Sequence, residues 1–201
     1  RSIGIEILNG YGITECSPVV AVNRNFYGKD GSVGLVGRNI EVKVVDEEIL
    51  VKGKNVMLGY YGDTKSTKEV LSDGWFKTGD LGYVDKDGFL FITGRKKNLI
   101  ILSNGENILP EMIEEKLLKD KGVCEVVVDS LNNQLVAYIY PNEEYLGNIT
   151  YFNNLIYRYN KSVPKNHQIS KCILRTREFK KNNNHKILRN KVMEDNNENI
   201  N

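Results

Sequence analysis

The strongest constraint in this 201-residue sequence is a change of grammar close to Gly94. From Gly31 to Gly94 the apolar runs are short, and Gly, Asp or Asn interrupts each of them: VGLVG, EVKVVD, EILVKG, DLGYVD and FLFITG. Runs of that length, several with β-branched alternation, bury a face only as strands of a sheet. Asp87-Gly88 between the last two runs is a hairpin signal. One stretch breaks the pattern: TKSTKEVL, Thr64 to Leu71, reads as a short helix capped by Asp63 or Thr64. Upstream, IGIEIL over residues 3–8 reads as a buried strand running into the Gly turn of NGYGITE.

After Gly94 helical periods enter. Pro110 opens EMIEEKLLKDK, with Ile113 and Leu117 on one face and Gly122 as the stop. VCEVVVD and QLVAYIY, joined by Asn132-Asn133, read as paired strands. TYFNNLIYRYNKS is an amphipathic helix with Leu155, Ile156 and Tyr159 inward, ended by Pro164. Two short strands are expected beyond it, and residues 194–201 form a polar tail without a core face. The chain therefore reads as mixed α/β: a β-rich end of one domain over 1–94, a small α+β unit over 95–193, and a tail over 194–201.

The balance of charge limits the partners. Lys and Arg number 11 against 13 Asp and Glu up to Gly94, and 17 against 13 after it. A net +2 is too small to argue for nucleic acid, and the mildly basic second half fits either solvated surface or an anionic ligand. No apolar run approaches the roughly 20 residues of a membrane helix. Three scattered cysteines without a pairing framework point to a reducing, cytoplasmic setting, and with His167 and His185 they offer no zinc spacing. No charged-then-apolar leader opens the sequence, and its first residue is Arg1, which points to a piece of a longer chain.

Four segments combine residue types that carry chemistry. In Asn9–Glu15 (NGYGITE), Gly10 and Gly12 let backbone amides approach a ligand, Tyr11 offers a flat face, Thr14 a hydroxyl and Glu15 a hard-cation ligand. A plain turn with a surface acid has the same composition. In DGWFKTGDLG, Asp80 is either an ordinary turn aspartate or an acceptor for a sugar diol. GRKKNLIILSNGENILPEMIEEKL begins with three cations, Arg95, Lys96 and Lys97, at a joint between units, where they reach an anion or are simply solvated. In EFKKNNNHKILRNKV, Lys186 lies beside Ile187 and Leu188 in an otherwise polar stretch, either as a surface charge or as a lysine delivered to an anionic ligand.

Taken in order, YGITE, GYY, TGD, GRKKNLI and HKILR resemble the adenylate-forming superfamily of acyl-CoA synthetases, luciferases and peptide-synthetase adenylation domains. LVKGKNVMLGYY, FKTGDLG and GRKKNLIILSNGENILPEMIEE look most similar to acyl-CoA synthetases acting on fatty acids. The resemblance implies an ATP-dependent, AMP-forming carboxylate–CoA ligase, with ATP, Mg²⁺ and CoA as its cofactors and a fatty acid as its substrate. It also implies an upstream remainder of the same polypeptide holding the phosphate loop, so that these 201 residues alone are expected to be inactive, and a protein that is at most peripheral to a membrane.

Position by position, the resemblance implies that Asn9, Gly10, Tyr11 and Gly12 form a nucleotide loop with Tyr11 stacked on adenine. Thr14 contacts phosphate, Glu15 binds Mg²⁺, and Asp80 holds the ribose hydroxyls with help from Arg95. Lys97 falls at the hinge, Gly105 in the loop lining the pantetheine path, and Lys186 at the lysine that bridges carboxylate and α-phosphate. Asn182 and His185 replace the usual Thr and Gly around that lysine, and Ile101 stands where many members carry a lysine. Two other readings stay open: an adenylation domain that loads a carrier protein, and a non-catalytic nucleotide-binding or split subunit.

Overall fold

The computed structural model describes residues 7–192. The chain divides into two compact units between Lys97 and Asn98. The first is built on β1 (Gly10–Gly12), β2 (Val19–Val22), β3 (Gly34–Val36), β4 (Ile40–Val45), β5 (Glu48–Gly53), β6 (Leu71–Ser72), β7 (Trp75–Val84) and β8 (Phe89–Arg95). Among the described residues these form one antiparallel sheet in the order β1-β2-β3-β8-β7-β5-β4, with β6 beside β7. Cys16, Val20, Ala21, Ile49, Val51, Phe76 and Leu90 make its core. The expected short helix is α1 (Thr64–Val70), and the Asp63 carboxylate caps it by accepting the Ser66 N–H at 2.9 Å.

The strand expected over 3–8 falls mostly outside the described residues, and Ile7 and Leu8 belong to no strand. Pairing begins later, at Gly10. The run DLGYVD is only the end of the ten-residue β7, because Phe76 and Lys77 already pair with Val51 and Leu50 of β5 and the strand runs through a register shift before Leu81 meets Glu48.

The β7–β8 hairpin carries the geometry that matters most. Asp85 turns the chain: its carboxylate accepts the N–H groups of Asp87 and Phe89, each at 2.9 Å, and Gly88 takes φ +85°. From Val84↔Leu90 to Gly82↔Ile92 the pairing is regular; then Leu81 faces Gly94 and Asp80 faces Arg95, so that Thr93 is skipped. This bulge moves the register by one residue. Gly82 sits beside it so tightly that a Cβ there would lie 2.1 Å from the Phe91 carbonyl oxygen.

The second unit begins with the small ladder of β9 (Ile100–Ile101) and β10 (Asn107–Ile108). It continues through α2 (Pro110–Leu117), β11 (Val123–Leu131), β12 (Gln134–Pro141), α3 (Ile149–Lys161) and β13 (Ile169–Leu174). Asn132 and Asn133 both take positive φ, as a two-residue hairpin turn requires, so β11 and β12 pair antiparallel. The α3 crossover brings β13 alongside β12 in parallel.

Period-two alternation divides the strands between two cores. Val126 and Val128 pack with α2 and α3, through Ile113, Leu117, Phe152, Leu155, Ile156 and Tyr159. Val127 points to the opposite face, where Val136, Tyr138, Phe179 and Val192 cover it. Helix α2 stops at Leu117 rather than running on to Gly122. The Asp120 carboxylate binds the Gly122 N–H at 2.9 Å and the Tyr151 hydroxyl at 2.6 Å, turning the chain into β11. Of the two strands expected after Pro164, β13 forms; the second stretch is a loop closed by a single bridge, Lys181 to Ile187.

Candidate functional site

In the first unit three predicted residues meet. Asp80 and Arg95 are direct cross-strand partners, so their side chains leave the sheet on one face. Arg95 donates from Nε to Asp80 Oδ1 at 2.7 Å, and the Tyr11 hydroxyl donates to Asp80 Oδ2 at 2.5 Å. Asp80 is buried, and its own N–H donates to Thr78 Oγ1 at 3.0 Å, while that hydroxyl donates to the Ile49 carbonyl at 2.7 Å. Two partners use two of the roughly four acceptor positions of a carboxylate, so Asp80 keeps capacity for a further pair of donors such as a vicinal diol. Burial, and then the adjacent Asp80 carboxylate, pushes the Tyr11 hydroxyl well above its ordinary range, so it stays protonated as the donor.

The loop that delivers Tyr11 is built for close approach. Tyr11 lies on β1 opposite Ala21. A Cβ on Gly12 would lie 2.6 Å from the Pro18 carbonyl oxygen, which only glycine avoids. Ile13 N–H donates to that same carbonyl at 2.7 Å, and Thr14–Cys16 then forms a single 3₁₀ turn. Thr14 is exposed and Glu15 half-buried. The Tyr60 hydroxyl donates to Glu15 Oε1 at 3.0 Å, and the Glu15 carbonyl accepts the Met57 N–H at 2.8 Å. Tyr60, from GYY, is thus a site residue whose individual role sequence reasoning missed, since nothing in its local pattern links it to an acid 45 positions away.

Glu48 is a second such residue. Its buried carboxylate accepts the Gly79 N–H at 3.2 Å and pairs with Lys96 at 2.7 Å, fixing the turn in front of Asp80. Asn9 and Gly10 stand at the start of the loop, where the Asn9 carbonyl accepts the Asn23 N–H at 2.9 Å. Lys97 lies exposed in the short 3₁₀ turn Lys96–Asn98, at the division between the units.

In the second unit Gly105 closes a tight turn at φ +82°, its N–H donating to the Leu102 carbonyl at 2.8 Å. No neighbour lies within 4 Å of the place a Cβ would take, so the demand for glycine there is conformational rather than steric. Asn133 ties this turn to the β11–β12 hairpin through the Ser103 N–H and hydroxyl, both at 2.6 Å. Lys186 is exposed on the loop after Phe179. The Asn182 side chain accepts the N–H of Asn184 and of Lys186, each at 3.0 Å, and His185 takes the positive φ that the turn requires. Asn182 and His185 therefore build a regular turn ahead of Lys186.

Among the described residues no three His, Cys, Asp or Glu side chains cluster as a metal cage. The Glu15 carboxylate is a single hard oxygen ligand, which fits Mg²⁺ completed by phosphate oxygens and water. No helix among the described residues is long and apolar enough to cross a membrane.

Comparison with known proteins bears on the family and the fold. Residues 1–61 match the family model described as AMP-binding enzyme, and residues 97–201 match its C-terminal domain. The chain is 42% identical over 129 residues to the long-chain-fatty-acid–CoA ligase FadD15 of Mycobacterium bovis, covering 64% of this chain and 22% of that protein. It is 42% identical over 135 residues to the long-chain-fatty-acid–CoA ligase of Salmonella typhimurium, covering 61% and 24% respectively. The chain thus spans about a quarter of the length of the curated relatives it matches. Among solved structures it resembles o-succinylbenzoate CoA synthetase of Bacillus subtilis in complex with its acyl-adenylate intermediate, with TM-score 0.84 and 29% identity over 96% of this chain and 42% of that one. It also resembles ATP-bound MatB of Rhodopseudomonas palustris, with TM-score 0.82, 26% identity, and 96% and 41% coverage. With more than half its length matched by the C-terminal model, the chain belongs to the AMP-binding enzyme family and has the adenylate-forming fold.

Proposed function

We propose that this chain is the C-terminal portion of an ATP-dependent, AMP-forming carboxylate–CoA ligase that activates a fatty acid. On this reading the first unit ends the large nucleotide-binding domain, the second forms the lid, and an upstream region supplies the phosphate loop. The observation that carries the reading is Asp80, buried and held from both sides by Tyr11 and Arg95. A carboxylate fixed next to an aromatic ring suits a nucleoside, whose base stacks on the ring while its diol donates to the acid. The high identity to two long-chain-fatty-acid–CoA ligases supports the substrate class.

The chemistry joins two anions, a carboxylate and the α-phosphate of ATP, so charge and position govern the barrier. Thr14 would bond phosphate, and Glu15, oriented by Tyr60, would hold Mg²⁺. The metal would supply neutralisation of phosphate charge. Lys186 would bring an ammonium to the carboxylate and α-phosphate during adenylation. The lid, turning about Lys97, would then present the Gly105 loop to the pantetheine arm of CoA. Such a protein would be cytoplasmic, at most peripheral to a membrane.

The test is carboxylate-dependent exchange of pyrophosphate into ATP by this chain joined to its upstream region, with the 201 residues run in parallel. Octanoate or palmitate should support exchange in the joined protein and not in the 201 residues. Exchange with amino acids alone would move the protein to carrier loading, and exchange with no acid would leave a binding protein.

A further inference from the structure

The geometry points to Glu114 and Arg189 as positioning residues for the Lys186 loop: an ionic clamp that fixes the loop to the core of its own unit. The inference rests on the proposed reading of Lys186 as the adenylation lysine. Glu114 lies on α2, only 7% exposed, with a carboxylate divided between two tasks. Its Oε1 accepts the Val128 N–H of β11 at 2.6 Å, and its Oε2 pairs with Arg189 Nη2. Arg189 Nη1 also donates to the Val128 carbonyl at 3.3 Å. A closed ring results, in which one guanidinium and one carboxylate satisfy both backbone groups of the same residue.

The clamp's place in the chain gives it a consequence for Lys186. Arg189 follows Lys186 by three residues, which at full extension is about 10–11 Å of chain. Little slack remains between them. Leu188 donates its N–H to the Lys180 carbonyl at 2.8 Å, and Ile187 packs on the core of Val127, Tyr138 and Phe179. On the other side Asn182 holds the Lys186 N–H. The loop is thus held before the lysine by Asn182 and after it by Ile187, Leu188 and Arg189, of which Arg189 is the ionic tie to the buried Glu114 of α2. Releasing Arg189 would leave the loop held by Ile187 and Leu188 but free it to shift against α2. A displacement of about 1 Å at a reacting group can cost on the order of 10²-fold in rate.

Arg189→Lys keeps the positive charge beside Glu114, so no buried anion is stranded, but an ammonium cannot span Glu114 and Val128 in the forked geometry. Glu114→Gln retains an acceptor for the Val128 N–H and turns an amide NH₂ toward the guanidinium. Both substitutions are to be made in the full polypeptide beside Lys186→Ala. Adenylation is read by pyrophosphate exchange, and thioester formation by supplying acyl-adenylate and CoA.

Each clamp variant should lower adenylation about 10- to 100-fold while thioester formation stays within about two-fold, which is the pattern expected of Lys186→Ala in weaker form. Equal loss in both half-reactions would show a merely structural pair and overturn the inference. So would full adenylation in either variant when Lys186→Ala loses it. If Lys186→Ala itself spares adenylation, the reading of the lysine falls, and the clamp's role in catalysis falls with it.

Discussion

Removing the Tyr11 hydroxyl isolates the contact on which the nucleotide reading depends. Tyr11→Phe keeps the ring and deletes the donor to Asp80 Oδ2, leaving Arg95 Nε at 2.7 Å as the remaining side-chain partner named for the buried carboxylate. A hydrogen bond to a charged group contributes about 1.5–3 kcal/mol. The lower end applies, because Tyr11 is half-buried and Arg95 keeps its hold. The first unit should therefore lose about 1.5 kcal/mol. With a urea slope near 1.5 kcal/mol/M for a unit of this size, the midpoint should fall by about 1 M. The chain has a single tryptophan, Trp75 on β7, so its fluorescence reports this unit selectively.

Alkaline pH supplies the internal control. Burial and Asp80 raise the folded-state pKa of Tyr11 above its unfolded value of 10.0, so the stability it gives is complete below pH 10 and is lost as pH rises further. Tyr11→Phe has nothing to lose there, and the gap between the two urea midpoints should shrink between pH 8 and pH 11. Tyr60, also raised by burial and by Glu15, is common to both proteins and cancels in the difference. Equal midpoints at pH 8, or a gap that does not change with pH, would refute the assignment of Tyr11 as a buried donor to Asp80.

Lys186→Ala should reduce adenylation by roughly 10²–10³ and leave thioester formation from supplied acyl-adenylate nearly intact, as separate assays of the two half-reactions would show. Gly82→Ala should prevent the first unit from folding stably, since the new methyl meets the Phe91 carbonyl at 2.1 Å and Ile49 Cδ1 at 2.8 Å; loss of the cooperative Trp75 transition is the readout. Cys124, the exposed thiol, should alkylate first with iodoacetamide at pH 8. Burial pushes Cys16 up to about 11 and Cys172 up to about 12, leaving little thiolate for reaction, and peptide mapping would read the order. Because both folded-state values lie above the unfolded 9.0, the stability they give is present below pH 9 and is lost as pH climbs through 11 and 12.

What the sequence made legible was local. Asp87-Gly88 marked the hairpin, Asn132-Asn133 the tight turn, Pro110 the start of α2, and alternation through VCEVVVD the two faces of β11, because turn chemistry and periodicity act over a few residues. The pairing of Asp80 with Arg95 was not local. Extending the register of Val84↔Leu90 would set Asp80 opposite Gly94 and turn Arg95 to the other face; the skip at Thr93 alone brings the acid and the guanidinium together. No pattern in FLFITGR announces that skip, although Gly82, where a Cβ has no room, marks its place. The same holds for the Tyr60–Glu15 hydrogen bond and the Glu114–Arg189 clamp, which join residues 45 and 75 positions apart. Nothing local in EMIEEKL or HKILRNK sets Glu114 or Arg189 apart from the charges beside them. Only the packing of α2 on β11 gives Glu114 a Val128 N–H to bind and leaves its second oxygen for Arg189. The residue types that could do chemistry were therefore visible in the sequence, whereas the groups that aim them depend on register and long-range packing.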